Sequence, residues 1–243
     1  MLRVEPFQPD VFGRGVYSPY DSVRLANFRL EANSSSSSLT SRTLSRWLQG
    51  YNIKSDGDIR YSPPLWELDY ANDDGLELSF RDLIELKFVK AFRDIGLSLP
   101  AIRKCLLRAA DIVGDARPFS TQKFRSDGKT IFLDITNSVD EGQLVDLKRR
   151  QNVFRSVVAP IFHNIEFDAK TAVRWFPLGM KRSIVVDPAR SFGQPILMES
   201  GVPAEVIACA VPVEGSAERV AQLFEISLKS VHDAILFQSK LAA

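Results

Sequence analysis

The stretch from Ser79 to Gly96 constrains this chain more than any other. Ser79 is a good helix N-cap with Asp82 three residues on, Leu83, Ile84, Phe88, Phe92 and Ile95 recur at helical spacing, and Gly96 stops the run. Ser98, Leu99 and Pro100 start another helix at once, with Ile102, Leu106, Ala109 and Val113 along one face. Two such helices form a hairpin whose apolar stripes need a partner, and short helices upstream supply it. Ser18-Pro19 opens one that runs through Leu25. Thr40 to Gln49 is the second, with Leu44 and Leu48 at i, i+4, Trp47 beside them and Gly50 in the C′ position. Between the two, Asn33 and the serines at 34–38 have no apolar face to bury and read as a flexible loop. Short helix, loop, short helix is a helix-turn-helix pattern.

Residues 51–78, rich in Asp, Gly, Pro and Tyr, predict a loop or small β-wing with its turn at Asp56-Gly57. Aromatic and β-branched residues on both sides of Asp127-Gly128 predict a hairpin over Gln122 to Ile135. Residues 141–163 read as helix, anchored by Leu144, Leu147, Phe154, Val158 and Phe162. From about Phe176 the texture changes to short strands, Ser183–Val186 and Gln194–Met198. Helices then follow over Pro203–Val211, Ser216–Phe224 and Ser227–Ser239, the last pair joined by only Glu225-Ile226 as a second helix-turn-helix. The expected fold is mainly α with small β-hairpins and two helix-turn-helix units. The expected divisions are an N-terminal arm (1–16), a DNA-binding domain (17–135), a helical connector (136–180) and a C-terminal helix-turn-helix domain (181–243).

Composition excludes several classes. A chain of 243 residues with 45% hydrophobic and 25% charged residues is neither disordered nor a disulfide scaffold. No run of about 18 apolar residues occurs and the N-terminus lacks a signal-peptide core, so a cytoplasmic protein with no membrane span is expected. Cys105 and Cys209 have no CxxC spacing and read as small buried hydrophobes. Only His163 and His232 offer imidazole, neither with a second His at i+3 or i+4, and there is no Gly-rich phosphate loop or nucleophile elbow. The pairs Asp73-Asp74 and Asp140-Glu141 sit at turn or helix-start signals. No catalytic residue, metal site or cofactor is therefore expected, and the chain reads as a non-enzyme.

Charge is informative only by segment, because the whole chain has a net charge of +1. Between 22 and 62, Arg24, Arg29, Arg42, Arg46, Lys54 and Arg60 face Glu31, Asp56 and Asp58. Ser41, Arg42, Thr43, Ser45 and Arg46 occupy the side of the second helix away from Leu44 and Leu48. Arg suits guanine edges and Ser, Thr and Arg suit phosphates, so Ser41, Arg42, Thr43 and Arg46 are candidate DNA contacts, with Lys54 and Arg60 on the wing. Between 87 and 108, Lys87, Lys90, Arg93, Arg103, Lys104 and Arg108 face only Asp94, a strip that fits either solvent or a phosphate track. Between 193 and 235 the balance reverses. Arg219 and Lys229 face Glu199, Glu205, Glu214, Glu218, Glu225 and Asp233, which points to protein interaction or dimerisation ahead of DNA reading.

Tyr17 and Leu25, SRTLSRWLQGY (41–51), LSFRDLIELKFVKAFRDIGLSLPAIRKCL (78–106), RPFST (117–121), KFRSDGKTIF (123–132) and RSIVVDPARSFGQPILMESGVPAEVIACAV (182–211) occur in that order. This succession resembles antitoxins of VapBC-like toxin–antitoxin pairs. In these a MerR-like winged N-terminal DNA-binding domain precedes a C-terminal trihelical domain of the type called domain of unknown function 433. The resemblance implies an autorepressor that binds double-stranded promoter DNA as a homodimer and neutralises a PIN-like ribonuclease toxin. It makes Ser41, Arg42, Thr43 and Arg46 the groove-reading face. An acidic surface of Glu205, Glu214, Glu218 and Glu225 would meet the basic cleft of the toxin. The stretch Asn27–Leu39 is long for a MerR-like turn, and the chain lacks the long dimerising coiled coil and effector cysteines of metal-sensing relatives. A stand-alone transcription regulator without a toxin partner is the alternative.

Overall fold

The computed structural model describes residues 13–29, 38–55, 58–72, 75–128, 130 and 158–242. Helices α1 (Pro19–Asn27) and α2 (Ser41–Gln49) begin at the predicted caps, where Ser18 accepts from the Asp21 N–H and Thr40 from the Thr43 N–H. The long stretch between them is closed by one amide. Asn27 donates from Nδ2 to the Leu39 carbonyl at 2.9 Å and accepts at Oδ1 from the Leu39 N–H at 2.8 Å. The ends of the connection are thus pinned together as a tight turn would pin them. Of the serine-rich loop, residues 34–37 lie outside the described residues.

Gly50, at φ +77°, leads from α2 into strand β1 (Tyr51–Ser55), which pairs with β2 (Asp58–Ser62) in the expected wing. A Cβ at Gly50 would come within 2.7 Å of the Ser62 carbonyl and 2.5 Å of the Tyr61 hydroxyl, so this junction requires glycine. The turn at 56–57 lies outside the described residues. A minimal hairpin of β3 (Ala71–Asn72) and β4 (Gly75–Leu76) then leads to α3 (Phe80–Asp94) and α4 (Leu99–Val113).

The capping box of α3 is present, with Ser79 and Asp82 bonded reciprocally. Asp82 also holds a buried network. Its Oδ1 accepts from Arg117 Nε at 2.6 Å and from Trp66 Nε1 at 2.9 Å. Arg117 continues through Nη2 to the Glu67 carbonyl at 2.7 Å and to Asp69 at 3.0 Å. A buried ion pair repays its desolvation only with further hydrogen bonds, and here Trp66, Ser79, the Glu67 carbonyl and Asp69 supply them. Behind it Phe88, Phe119, Phe124 and Phe162 form a ring cluster with centroid separations of 4.9–6.2 Å.

Three expectations need correction. Residues 122–128 are helical, not the first strand and turn of a hairpin. Thr121 decides the matter by accepting from the Phe124 N–H at 3.1 Å as a cap, while Phe124 enters the ring cluster; one buried aromatic per turn satisfies a helix as well as a strand. The remainder of that expectation, 131–135, and most of the helix read over 141–163 lie outside the described residues. Secondly, the helical connector does not run on to 180. Helix α5 (Ala159–His163) gives way to strands β5 (Ile165–Phe167) and β6 (Ala172–Trp175), joined at Asp168, whose Oδ1 accepts from the Lys170 and Thr171 N–H groups at 2.7 and 2.6 Å. With β7 (Ile184–Val186) and β8 (Pro195–Leu197) they make an antiparallel sheet of order β5-β6-β7-β8.

Thirdly, the described end of the N-terminal arm is packed. The Arg14 carbonyl accepts from Phe80 N–H at 2.8 Å, the Gly15 carbonyl from the Tyr70 hydroxyl at 2.8 Å, and Val16 N–H donates to the Phe192 carbonyl at 3.0 Å. This segment ties the α3 end to the turn before β8. Helices α6 (Ala204–Glu214), α7 (Ala217–Leu223) and α8 (Leu228–Leu241) follow as expected, with Ser216 and Ser227 capping the last two. Phe28, just after α1, packs on Trp175 and on Phe237 of α8, so one apolar cluster runs through both ends of the chain. The result is mainly helical with small antiparallel sheets. Among the described residues no helix is long and apolar enough to cross a membrane.

Candidate nucleic-acid interface

Helix α2 buries Leu44, Trp47 and Leu48, which turns Ser41, Arg42 and Arg46 to solvent. Thr43 is partly covered, and its hydroxyl lies 3.0 Å from that of Thr40, so it builds the start of the helix more than its outer face. Arg42 has no ion-pair or hydrogen-bond partner among the described residues. The Arg46 guanidinium carbon lies 4.0 Å from the Tyr51 ring centroid, a cation–π contact that holds the side chain beside the wing and claims none of its N–H donors.

The wing register sorts its side chains. Tyr51 pairs with Ser62 and Ile53 with Arg60, while Asn52 pairs with Tyr61 and Lys54 with Ile59. Arg60 therefore shares a face with the tyrosine beneath Arg46, and Lys54 stands on the opposite face. The structure thus joins Arg42, Arg46 and Arg60 through α2 and Tyr51 and separates Lys54 from them. Sequence reasoning missed the apolar content of this wing, where Ile53, Ile59 and Tyr61 are 41%, 65% and 62% exposed. The polar-apolar alternation of 52–61 was the available signal. It also missed Arg103, which donates from α4 to the Pro64 carbonyl at 2.6 Å, the Pro63 carbonyl at 2.7 Å and Ser62 Oγ at 3.2 Å, clamping the wing base.

Most cations of the basic strip at 87–108 have partners within the protein. Lys87 donates to the Leu25 carbonyl at 3.3 Å and lies 3.9 Å from the Trp175 ring centroid. Burial pushes its ammonium down to about 7, with Arg29 and Lys90 adding to the shift. Lys90 and Arg29 both pair with Asp94, Arg93 donates to the Leu97 carbonyl, and Arg108 pairs with Asp111. Arg93, Lys104 and Arg108 are the exposed members of the strip, and of these Lys104 has no hydrogen-bond or ion-pair partner among the described residues. Beneath it Glu85 accepts from the Ser120 N–H at 2.8 Å while burial pushes its carboxyl up to about 8, so it is largely neutral at pH 7.

The four candidate acids are distributed over α6, α7 and the turn that follows. Glu205 opens α6 and Glu214 ends it, about 13 Å away along the axis. Glu205 borders a cleft of about 170 Å³ with Asp21, Arg24, Phe192 and Gln238. Glu218 lies in the first turn of α7, where its own backbone N–H and Ser216 hold its carboxyl below the usual range, with His232 contributing. Glu225 occupies the α7–α8 turn at φ +53°. Of the other two acids of that window, Asp233 is buried and accepts from Arg182 at 2.7 Å and the Ser183 N–H at 2.9 Å, while the exposed Glu199 accepts from Ser230 at 2.6 Å. Among the described residues no group of three or more His, Cys, Asp or Glu side chains could hold a metal ion.

No family model matches this sequence. Over 205 residues it is 24% identical to the Mycobacterium tuberculosis (strain ATCC 25618 / H37Rv) protein named "Putative antitoxin VapB45", covering 79% of this chain and 85% of that protein. The chain is similar to an antitoxin. Matching 79% of the chain, the likeness is too long to sit within either helix-turn-helix unit alone. The fold is also that of the crystal structure of Rv2018 from Mycobacterium tuberculosis, at a TM-score of 0.62 and 19% identity, covering 92% of this chain and 99% of that one.

Proposed function

We propose that this chain is a non-enzymatic cytoplasmic antitoxin that represses its own promoter and neutralises a PIN-like ribonuclease toxin. The observation that carries the DNA half of this reading is the outer face of α2, with Arg42 unpartnered among the described residues and Arg46 over the Tyr51 ring beside an exposed wing. A MerR-like docking would set the N-terminal half of α2 in the major groove. Arg42 and Arg46 are the groove-reading candidates and Ser41 a phosphate donor, with Thr43 fixing the helix start. Arg60 follows the backbone on the same side, and Lys54 serves phosphates from the other face of the wing. A homodimer would present two α2 helices about one DNA turn apart, so the site is an inverted repeat. The antitoxin half rests on the VapB likeness.

Two experiments test the reading. Binding of the full chain to a duplex from its own upstream region should drop about 100-fold in the double variant Arg42→Ala, Arg46→Ala, from about 1–3 kcal/mol per bidentate contact. Unchanged affinity at moderate salt overturns the DNA assignment. Co-expression with the neighbouring nuclease should rescue growth. No rescue, with promoter binding intact, selects a stand-alone regulator.

A further inference from the structure

Helix α6 has the sequence AEVIACAVPVE, apolar except for a glutamate near each end. A helix apolar on all sides is ordinarily buried all round. This one fully buries only Ala204 and Ile207. Val206 is 46% and Val213 81% exposed, and Pro212 is exposed as well. Cys209, read from sequence as buried, is exposed too, because the apolar run that suggested burial is itself half uncovered. At 3.6 residues per turn, Val206, Cys209, Pro212 and Val213 fall within a sector of about 120°. That is a continuous apolar stripe in water.

The charges around the stripe define what covers it. From Arg190 to Arg219 the chain contains no Lys or Arg in between, while Glu199, Glu205, Glu214 and Glu218 lie there. Glu205 flanks Val206 at one end of the stripe and Glu214 follows Val213 at the other. A second copy is a poor occupant. Antiparallel pairing about Cys209 sets Glu205 of one copy against Glu214 of the other, twice, and parallel pairing sets like against like. Either way α6 itself carries no cation to offset the repulsion, although Arg24 of α1 lines the same cleft as Glu205.

The geometry points to α6 as the docking face for an amphipathic helix of a protein partner whose apolar ridge is flanked by Lys and Arg. This inference rests on the antitoxin reading for the natural owner of that helix, the neutralised nuclease. It narrows the acidic contribution to Glu205 and Glu214, one near each end of α6. Recognition is of the helix-in-groove kind, with apolar contact supplying affinity and the two glutamates supplying selection.

The test uses the full chain and a synthetic 18-residue helical peptide with a leucine ridge and lysine flanks, against the same peptide with glutamate flanks. Because Cys105 is buried, maleimide alkylation reports on Cys209. The lysine peptide should bind at least tenfold tighter by fluorescence anisotropy and slow alkylation at least tenfold. Val213→Glu should abolish both effects while leaving promoter binding unchanged, a sign that the variant is folded. In the double variant Glu205→Lys, Glu214→Lys the preference should invert toward the glutamate peptide. Equal binding of the two peptides, binding without protection of Cys209, or a Cys209–Cys209 disulfide dimer at micromolar concentration overturns the proposal. Growth rescue separates it from the reading beneath it. Should wild type and Val213→Glu rescue equally, the docking face fails and the antitoxin role stands. Should the lysine peptide dock as described while wild type gives no rescue, the antitoxin role fails and the docking face stands.

Discussion

The α2–wing segment and the α3–α4 hairpin are both basic, and the hairpin is the more basic of the two. Around α2, Arg42, Lys54 and Arg60 have no partner among the described residues, and Arg46 lies over the Tyr51 ring with its N–H donors unclaimed. In the hairpin, carbonyls and carboxylates occupy most of the cations, and burial lowers the charge of Lys87. A count of charges and a count of unclaimed hydrogen-bond donors therefore rank the two segments in opposite order. What matters is the number of cations whose hydrogen-bond donors remain unclaimed.

Variants can break or sharpen that contrast. The largest effect belongs to Arg117→Ala, which leaves Asp82 as a buried charge and should cost about 3–5 kcal/mol in urea unfolding. A loss under about 1 kcal/mol would return Arg117 to the class of surface charges.

Glu85 and Lys87 carry the next effect, and their signs oppose. Glu85 keeps its proton in the folded state up to about 8 but sheds it near 4.5 when unfolded, so its contribution to stability is present below 4.5 and lost as pH rises to 8. Lys87 binds its proton in the unfolded state up to 10.5 but only to about 7 when folded, so stability rises with pH between 7 and 10.5. The wild type should show a stability minimum between pH 7 and 8 by thermal or denaturant unfolding. Glu85→Gln should remove a slope of up to about 1.4 kcal/mol per pH unit on the acid side, and Lys87→Met should flatten the alkaline side. A pH profile unchanged by Glu85→Gln would contradict a neutral buried carboxyl.

Arg103→Ala should cost about 1–2 kcal/mol and weaken promoter binding severalfold by freeing the wing base, although Arg103 itself contacts no DNA in this account. Lys104→Ala should lie at the small end, within about 0.5 kcal/mol in stability and twofold in affinity. A larger loss of affinity for Lys104→Ala than for Arg42→Ala would move the interface from α2 to the hairpin.

Elements set by neighbours in sequence were legible, and those set by distant partners were not. Ser18, Thr40, Ser79, Ser98, Ser216 and Ser227 announce their helices because a cap bonds within three residues. The exposed face of α2 follows equally from the spacing of Leu44, Trp47 and Leu48. By contrast, Asp82 reads as a capping residue, and nothing local reveals that it also binds Trp66 and Arg117. Asp127-Gly128 suggested a turn because the aromatic cluster that takes Phe124 is a tertiary fact, while the cap at Thr121 is local and was legible in principle. Strands β5 and β6 are short, and only their sheet partners distinguish them from loop. The strip at 87–108 misleads for the same reason, since Lys87 faces Leu25 and Trp175 from far along the chain.

Salt-dependent promoter binding tests the central claim most directly. Measured from low to moderate salt, the slope of log affinity against log salt should become shallower by about 2 in Arg42→Ala, Arg46→Ala, with urea stability unchanged. The double variant Arg93→Ala, Lys104→Ala should keep the wild-type slope. Should the α2 variant keep the wild-type slope and affinity while the hairpin variant loses both, the interface does not lie on α2.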